Sequence, residues 1–511
     1  MNGATDIGPS IDLPSWLRAV VRLDPRAEAL HFEGTWRPWH WLDDAIDAFD
    51  EVLSAEQLGE ATKVGLLVRN RPEVVRAVVA TLATRRCVVT LSSAIPLARL
   101  AEDIARLELP VVVASESDWR DETFAAAVRS AGTLGIAVRD GDPSPWSVVC
   151  PRTRGATASD TAPGVAVQML TSGTTGAPKR VDLRYSSLEH EIESTARYAK
   201  GGALAEPRLA SGTSLVWTPL LHIGGLRALI ASLVAGRRVA LLERFSVEAW
   251  AAAVREFRPR AISLVPAALT MVLDADLPRD LFEHVSAVFS GSAPLDPDLA
   301  QRFEERYGVP VLAVYGATEF AGGVAGWTLA DWRTFGDAKR GSVGRPNAGV
   351  KVRVVDPESG FERPRDEVGL LEVDAPQLSE PGWMRTTDLA RLDDDDFIWI
   401  VGRSDDVIVR GGMKVATTAV RDVIAAHPAV QDACVIGVPD RRLGQVPVAA
   451  VELRPGADPV TPDDLVAWAR ERLTGYQVPV EVQILDALPR TPSMKVSQVA
   501  LRPLFERDAA T

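Results

Sequence analysis

Val165-Ala166-Val167-Gln168-Met169-Leu170 runs directly into Thr171-Ser172-Gly173-Thr174-Thr175-Gly176-Ala177-Pro178-Lys179-Arg180, and this junction decides the fold. The first six residues are apolar except for Gln168 and read as a buried strand. The residues that follow have the chemistry of an anion cradle. Glycines let backbone N–H groups approach an anion closely, hydroxyls add donors, and Lys179 adds a mobile positive charge. A plain Gly/Thr turn is the alternative for such a loop taken alone. The spacing differs from the GxxxxGK[ST] phosphate loop, because Lys179 follows a proline and no hydroxyl follows it.

Outward from this junction, short apolar runs alternate with longer amphipathic ones. Val64 to Val68, Val111 to Ala114 and Val239 to Leu242 read as further buried strands, with helical patterns over Pro72 to Leu82 and Leu97 to Leu107. Strand–helix alternation predicts α/β architecture, with parallel sheets covered by helices. The Ser/Thr/Gly/Pro-rich stretch Pro151 to Gly164 reads as a linker into the decisive strand. From Lys351 the texture becomes β-rich, with strands expected at Lys351 to Asp356, Gly369 to Asp374 and Phe397 to Val401. The acidic run Asp393 to Asp396 reads as a hairpin turn, which favours Asp, in preference to a metal site. Beyond Gly402 the chain mixes strands with two expected helices, enough for a small separate domain. One of them is well marked: Thr461 as N-cap, Pro462 in the first turn, Asp463 and Asp464 at the positive end.

The chain has 511 residues, which at roughly 150 per domain predicts about three compact units. Its net charge of −13 disfavours nucleic acid and anionic membranes as partners, so an anionic ligand has to be held by local groups. No apolar stretch approaches the ~20 residues of a membrane span. The N-terminus lacks signal-peptide patterning. Cys87, Cys150 and Cys434 show no metal-ligand spacing and read as buried free thiols. The expected compartment is the cytoplasm.

Several later segments carry chemistry. Ser290-Gly291-Ser292-Ala293-Pro294 and Tyr315-Gly316-Ala317-Thr318-Glu319 are two of them. Arg385-Thr386-Thr387-Asp388 and Gly402-Arg403-Ser404-Asp405-Asp406 form a second pair. Gly411-Gly412-Met413-Lys414 and Leu488-Pro489-Arg490-Thr491-Pro492-Ser493-Met494-Lys495 complete the series. With the loop, and in this order over roughly residues 35 to 500, they resemble the adenylate-forming superfamily of acyl-CoA synthetases, nonribosomal-peptide adenylation domains and firefly-type luciferases. AMP-forming acyl-CoA ligases are the nearest branch.

The resemblance implies roles for individual residues. Thr171, Ser172, Gly173, Thr174, Thr175, Gly176 and Lys179 would hold the phosphates of ATP. Gly291, Ser292, Ala293, Tyr315 and Gly316 would lie on the adenine side, with Tyr315 offering a stacking face; alone, such a tyrosine is as readily a core residue. Thr318 and Glu319 would serve catalysis, Glu319 by ligating Mg²⁺, although a surface ion pair is the alternative reading. Asp388 suits both ribose hydroxyls, or else caps a turn, and Arg403 would donate to ribose or phosphate. Lys495 would stabilise charge developing as a carboxylate attacks the α-phosphorus. His222, in Trp217-Thr218-Pro219-Leu220-Leu221-His222-Ile223-Gly224-Gly225, would gate the acid, or be a hydrogen-bonded core histidine. Gly411, Gly412 and Lys414 would line the path of the thiol of CoA or of carrier-protein phosphopantetheine.

The implied architecture is a large N-terminal domain over 1–402, with two α/β sheet units and a small β subdomain. A hinge at 403–406 and a mobile α+β domain over 407–511 follow. The implied reaction is ATP-dependent ligation of a hydrophobic or aromatic carboxylate to CoA through an acyl-adenylate. Loading of a carrier protein, activation of nitrite to diazotise an aromatic amine, and a non-catalytic nucleotide-binding role are the alternatives. Two departures stand out: Ala416-Thr417-Thr418-Ala419 where relatives carry Pro and Glu, and Met494 where they carry glycine before the lysine. The small residues Gly224, Gly225, Ala317 and Ala321 to Gly323 are expected to leave room for the acid.

Overall fold

The structure, a computed structural model, describes residues 11–93, 95–141, 145–171, 179–196, 204–404, 407–410, 413–440, 442–491 and 494–505. Its centre is a seven-stranded sheet in the order Trp146–Cys150, Leu134–Val138, Val111–Ser115, Lys63–Val68, Cys87–Ser92, Val165–Thr171 and Lys179–Arg184. The five inner strands run parallel, and an antiparallel strand closes each edge. Near-continuous apolar runs suit strands covered on both faces. The helix Pro72–Ala83 begins with a proline in its first turn and is buried along its length. Pro fits there because the first helical N–H has no intrahelical partner. The strand Val165–Thr171 immediately precedes the glycine- and hydroxyl-rich segment, whose chain connection is thus to the carboxyl end of a parallel strand, the end at which open α/β sheets bind ligands.

Two further sheets complete the α/β part. Four strands in the order Thr213–Val216, Arg238–Leu241, Glu28–Phe32 and Thr35–Pro38 form one. Ala261–Ser263, Ala287–Ser290, Val311–Ala317, Gly322–Gly326 and Arg345–Pro346 form the other. The β-rich region is a four-stranded antiparallel sheet of Lys351–Val355, Gly369–Asp374, Met384–Leu392 and Ile398–Arg403. Asp393 to Asp396 does turn a hairpin, with Leu392 opposite Ile398. Asp393 is buried and accepts from the N–H groups of Asp395 and Phe397, from Trp399 Nε1 and from Lys339 Nζ.

The last region pairs Met413–Ala416, Val407–Arg410, Gly444–Leu453 and Val430–Asp440, with Glu481–Leu485 alongside Gly444–Leu453. It holds three helices among the described residues, Thr417–Ala425, Pro462–Arg470 and Gln498–Phe505, one more than the sequence suggested. The missed helix Gln498–Phe505 is short and contains Pro503, which hid its period. The marked helix forms as expected, with a reciprocal capping box between Thr461 and Asp464. Thr417–Ala425 has no side-chain cap at Ala416, so the threonines there begin the helix without capping it.

The stretch Pro151 to Gly164 is tied down more firmly than a linker. Asp160 is buried and pairs with Arg152 and Arg154. All three cysteines are buried, and none forms a disulfide. No helix among the described residues is long and apolar enough to cross a membrane.

Candidate functional site

Several of the predicted residues that are described come together where the C-terminal region meets the large α/β part: Lys495 lies within range of the charges of Arg403, Glu319 and Asp388, His222 lies within range of Lys495, and Met494 packs on the large part. Asp388 and Arg403 face one another on adjacent antiparallel strands. Arg403 Nε lies 4.0 Å from Asp388 Oδ1, and Arg403 Nη2 donates to Thr387 Oγ1 at 2.6 Å. Thr386 Oγ1 accepts from the Asp388 N–H at 3.0 Å and donates to the Leu371 carbonyl at 2.8 Å, which fixes the backbone behind the carboxylate. Tyr315 Oη donates to Asp388 Oδ2 at 2.5 Å. Burial first, then the Asp388 charge, hold the Tyr315 hydroxyl well above the ordinary tyrosine range, so it stays a donor. One Asp388 oxygen is thus engaged by the tyrosine, and the ring is held edge-on to the carboxylate that the sequence assigned to ribose.

The backbone around Tyr315 is crowded in a way only glycine tolerates. A Cβ on Gly316 would lie 2.0 Å from the Gly322 carbonyl oxygen, across the Val311–Ala317/Gly322–Gly326 pairing. Thr318, Glu319 and Phe320 form a single 3₁₀ turn at the end of this strand. Phe320 is buried and anchors the turn, while Glu319 is exposed and makes no hydrogen bond or ion pair among the described residues. A free carboxylate on a rigid turn fits a magnesium ligand that leaves several positions to water and phosphate. Ser292, on the facing loop, adopts φ +69°, and Gly291 packs on the Val314 carbonyl, where a Cβ would approach to 2.8 Å.

Lys495 comes from the C-terminal region. A tight turn presents it: the Thr491 N–H donates to the Lys495 carbonyl at 2.7 Å, the Met494 N–H donates to Thr491, and Arg490 bridges Val496. Lys495 is exposed to solvent, yet enough protein lies close around it to desolvate its ammonium. That enclosure chiefly, with help from Arg403, lowers its ammonium below the ordinary lysine range, while Glu319 and Asp388 oppose the shift. An ammonium, a guanidinium and two carboxylates from four separate segments therefore share one electrostatic field.

Met494 occupies the left-handed region at φ +66°, where glycine would be unstrained. Its side chain packs against the large-part apolar cluster that contains Trp217, Leu264 and Val288. The departure from glycine thus adds an apolar contact beside the lysine.

His222 sits at the N-cap position of helix Ile223–Val234. Burial and the Lys495 charge push its pKa down to about 4, so the imidazole is neutral near pH 7. Its Nε2 is enclosed without a partner among the described residues. The segment before it is held by a residue that sequence reading missed. Asn70 is buried; its Nδ2 donates to the carbonyls of Trp217, Thr218 and Leu242, and its Oδ1 accepts from the Leu220 N–H at 2.8 Å. A polar residue two positions beyond the apolar strand Lys63–Val68 was the only available signal.

The expected space for an acid is narrower than the small residues implied. Gly224 is open, with Thr218 Cγ2 at 3.8 Å and Ser292 Oγ at 3.9 Å from an added Cβ. Gly225 is not a source of room: its Cβ would lie 2.3 Å from the Pro219 carbonyl oxygen, so this glycine serves close packing. Ala321 is buried in the core.

Some predicted residues are not positioned. Ser172 to Gly176, Asp405, Asp406, Gly411 and Gly412 lie outside the described residues, as do the side chains of Thr171, Lys179 and Lys414. Backbone pairing nevertheless sets Thr171 opposite Lys179 and Val409 opposite Lys414.

A parallel-sheet fold with Asp388 and Arg403 on adjacent strands, and Lys495 brought into their field from the C-terminal region, fits an ATP-using, AMP-forming ligase. The chain belongs to the AMP-binding enzyme family, which matches residues 17–381, and the family's C-terminal domain matches 420–495. It is similar to a 2-succinylbenzoate–CoA ligase of Bacillus velezensis, 30% identical over 96% of this chain and 98% of that protein. It is also similar to 4-coumarate–CoA ligase-like 9 of Arabidopsis thaliana, 28% identical over 65% of this chain and 60% of that protein. Among solved structures, ATP-bound MatB from Rhodopseudomonas palustris has a TM-score of 0.81 at 25% identity, covering 97% of this chain and 99% of that one.

Proposed function

We propose that this protein is an acid–CoA ligase that joins a carboxylate to ATP, releasing pyrophosphate, and then passes the acyl group from AMP to the thiol of CoA. The observation that carries this reading is the approach of Lys495 to Glu319, Asp388 and Arg403 from a separate part of the chain. Phosphoryl transfer alone has no need of a mobile lysine opposite a ribose carboxylate; attack of a carboxylate on the α-phosphorus builds negative charge there, which an ammonium stabilises.

Thr171 to Lys179 would hold the β- and γ-phosphates. Asp388 would accept from the ribose hydroxyls, with Tyr315 fixing its orientation and presenting a face to adenine. Glu319 would hold Mg²⁺, whose charge neutralises phosphate oxygens when it is bound. Neutral His222 puts no fixed charge beside the incoming carboxylate and closes the acid site on that side. Residues 1–402 and 407–511 would move as two bodies about 403–406, withdrawing Lys495 and bringing Gly411, Gly412 and Lys414 to the thiol. The acid would carry a hydrophobic or aromatic body, which the apolar walls and the opening at Gly224 admit.

An acid panel assayed for AMP release, with and without CoA, tests the reading. CoA-dependent AMP release with formation of the matching thioester supports it. AMP release that no acid and no thiol stimulates would sink it.

A further inference from the structure

The wall of the acid site contains an ion pair that the chemistry above does not use. Helix Ile223–Val234 starts at the site, immediately after His222. Arg227 lies three residues beyond Gly224 on that helix, which places both on one face. It is five residues beyond His222, about 7.5 Å along the axis at 1.5 Å per residue. Its stem crosses Gly322: a Cβ there would lie 2.9 Å from Arg227 Cδ and 2.8 Å from Glu191 Oε1. Gly322 directly follows the Thr318–Phe320 turn and Ala321, so this contact is part of the same wall as Glu319.

Glu191 comes from helix Tyr185–Ala196 and is only 3% exposed. Arg227 Nη1 approaches its Oε1 at 3.3 Å, and Thr195 Oγ1 donates to the same oxygen at 3.1 Å. Oε2 is enclosed and has no partner among the described residues. Burial, opposed by Arg227, holds the carboxyl above the ordinary glutamate range. Arg227 keeps 28% of its side chain exposed, and Glu191 is its only ionic partner among the described residues.

A purely structural buried pair satisfies its lone pairs, because an unmet charge in a dry site costs more than the pair returns. Here the carboxyl is held by Thr195 and by the Gly323 N–H, Oε2 still has no partner among the described residues, the ionic contact is a single long one, and the guanidinium keeps part of its surface exposed. Such a fork lacks a planar, bidentate anion, the shape of a carboxylate.

We propose that Arg227, anchored from behind by Glu191, determines acid specificity by receiving a second carboxylate at the far end of the substrate. The substrates are then dicarboxylic acids: one carboxylate meets ATP near Lys495 and His222, and the other pairs with Arg227. This rests on the ligase reading, and narrows its hydrophobic or aromatic acid to one with a charged distal end.

The test uses non-hydrolysable acyl-sulfamoyl-adenosine mimics, which report binding without turnover. Matched pairs are 4-carboxybenzoyl against 4-methylbenzoyl, and hexanedioyl against hexanoyl. On the wild-type protein, calorimetry is expected to show the carboxyl-bearing member of at least one pair binding about 10- to 100-fold more tightly, the range of a charged hydrogen-bonded contact. In Arg227→Leu that preference disappears. Because Arg227→Leu strands Glu191, the double variant Arg227→Leu/Glu191→Leu is measured as well; it should fold, lose the preference and keep wild-type affinity for the methyl- or alkyl-ended mimics. Binding of both members within about 3-fold in every pair, or a preference surviving in the double variant, overturns the proposal while leaving the ligase reading intact. If no mimic binds, both are overturned.

Discussion

Met494 offers a sharp test of how Lys495 reaches its place. Its side chain is half-buried against the large-part cluster, and full burial of a methionine contributes about 1.5–3 kcal/mol, so this contact contributes roughly 1–1.5 kcal/mol. The turn that carries it is closed by its own hydrogen bonds, Thr491 N–H to Lys495 and Met494 N–H to Thr491, so the left-handed backbone does not depend on docking. Met494→Ala removes the contact and keeps the backbone cost. The docked arrangement then loses about 1–1.5 kcal/mol, and adenylation, followed by pyrophosphate exchange, should fall about 5- to 10-fold. Thioester formation from a supplied adenylate should not fall with it. Met494→Gly removes the same contact and also the left-handed strain, so it should lose adenylation to the same extent while being about 1 kcal/mol more stable than Met494→Ala. Pyrophosphate exchange that is unchanged in both variants, or equal losses in both half-reactions, would refute the reasoning.

Other consequences are as direct. Asn70→Ala leaves the Leu220 N–H and three carbonyls short of a partner; at about 1–3 kcal/mol per buried group left unmet, stability should drop by at least 2 kcal/mol, read as a lower urea midpoint, with a raised KM for the acid. His222 has a folded pKa near 4 against an unfolded value of about 6.5, so the unfolded chain binds the extra proton between these values. Its contribution to stability is therefore complete above pH 6.5 and is lost as the pH falls toward about 4. His222→Gln should flatten the dependence of Tm on pH in that window, and an unchanged slope would contradict the assignment. Asp388→Ala should raise the KM for ATP at least 10-fold, as expected when a charged hydrogen-bond partner is removed, and leave the acid KM nearly unchanged.

Much of the scaffold was legible in the sequence because its elements carry strong local signals. Leu97–Leu107 and Gly369–Asp374 fall where periodicity placed them, and the Thr461 capping box announced its helix. Asp388, Arg403, Glu319 and Lys495 were legible as motif residues, although their shared field is a product of chain folding. What escaped was tertiary. Asn70 acts through carbonyls about 150 positions away, Gly225 differs from Gly224 only by what packs on it, and Glu191 and Arg227 meet across two helices. Gln498–Phe505 escaped because Pro503 interrupts its pattern, although its position is fixed by packing on Val430–Asp440.

In this mechanism Lys495 serves the formation of the adenylate and not its consumption. Lys495→Ala, assayed separately for acid-dependent pyrophosphate exchange and for thioester formation from a supplied acyl-adenylate, tests it directly. A loss of about 10²–10³-fold is expected in the first reaction, comparable to removing one oxyanion donor, with little change in the second. Equal losses in the two reactions would contradict it.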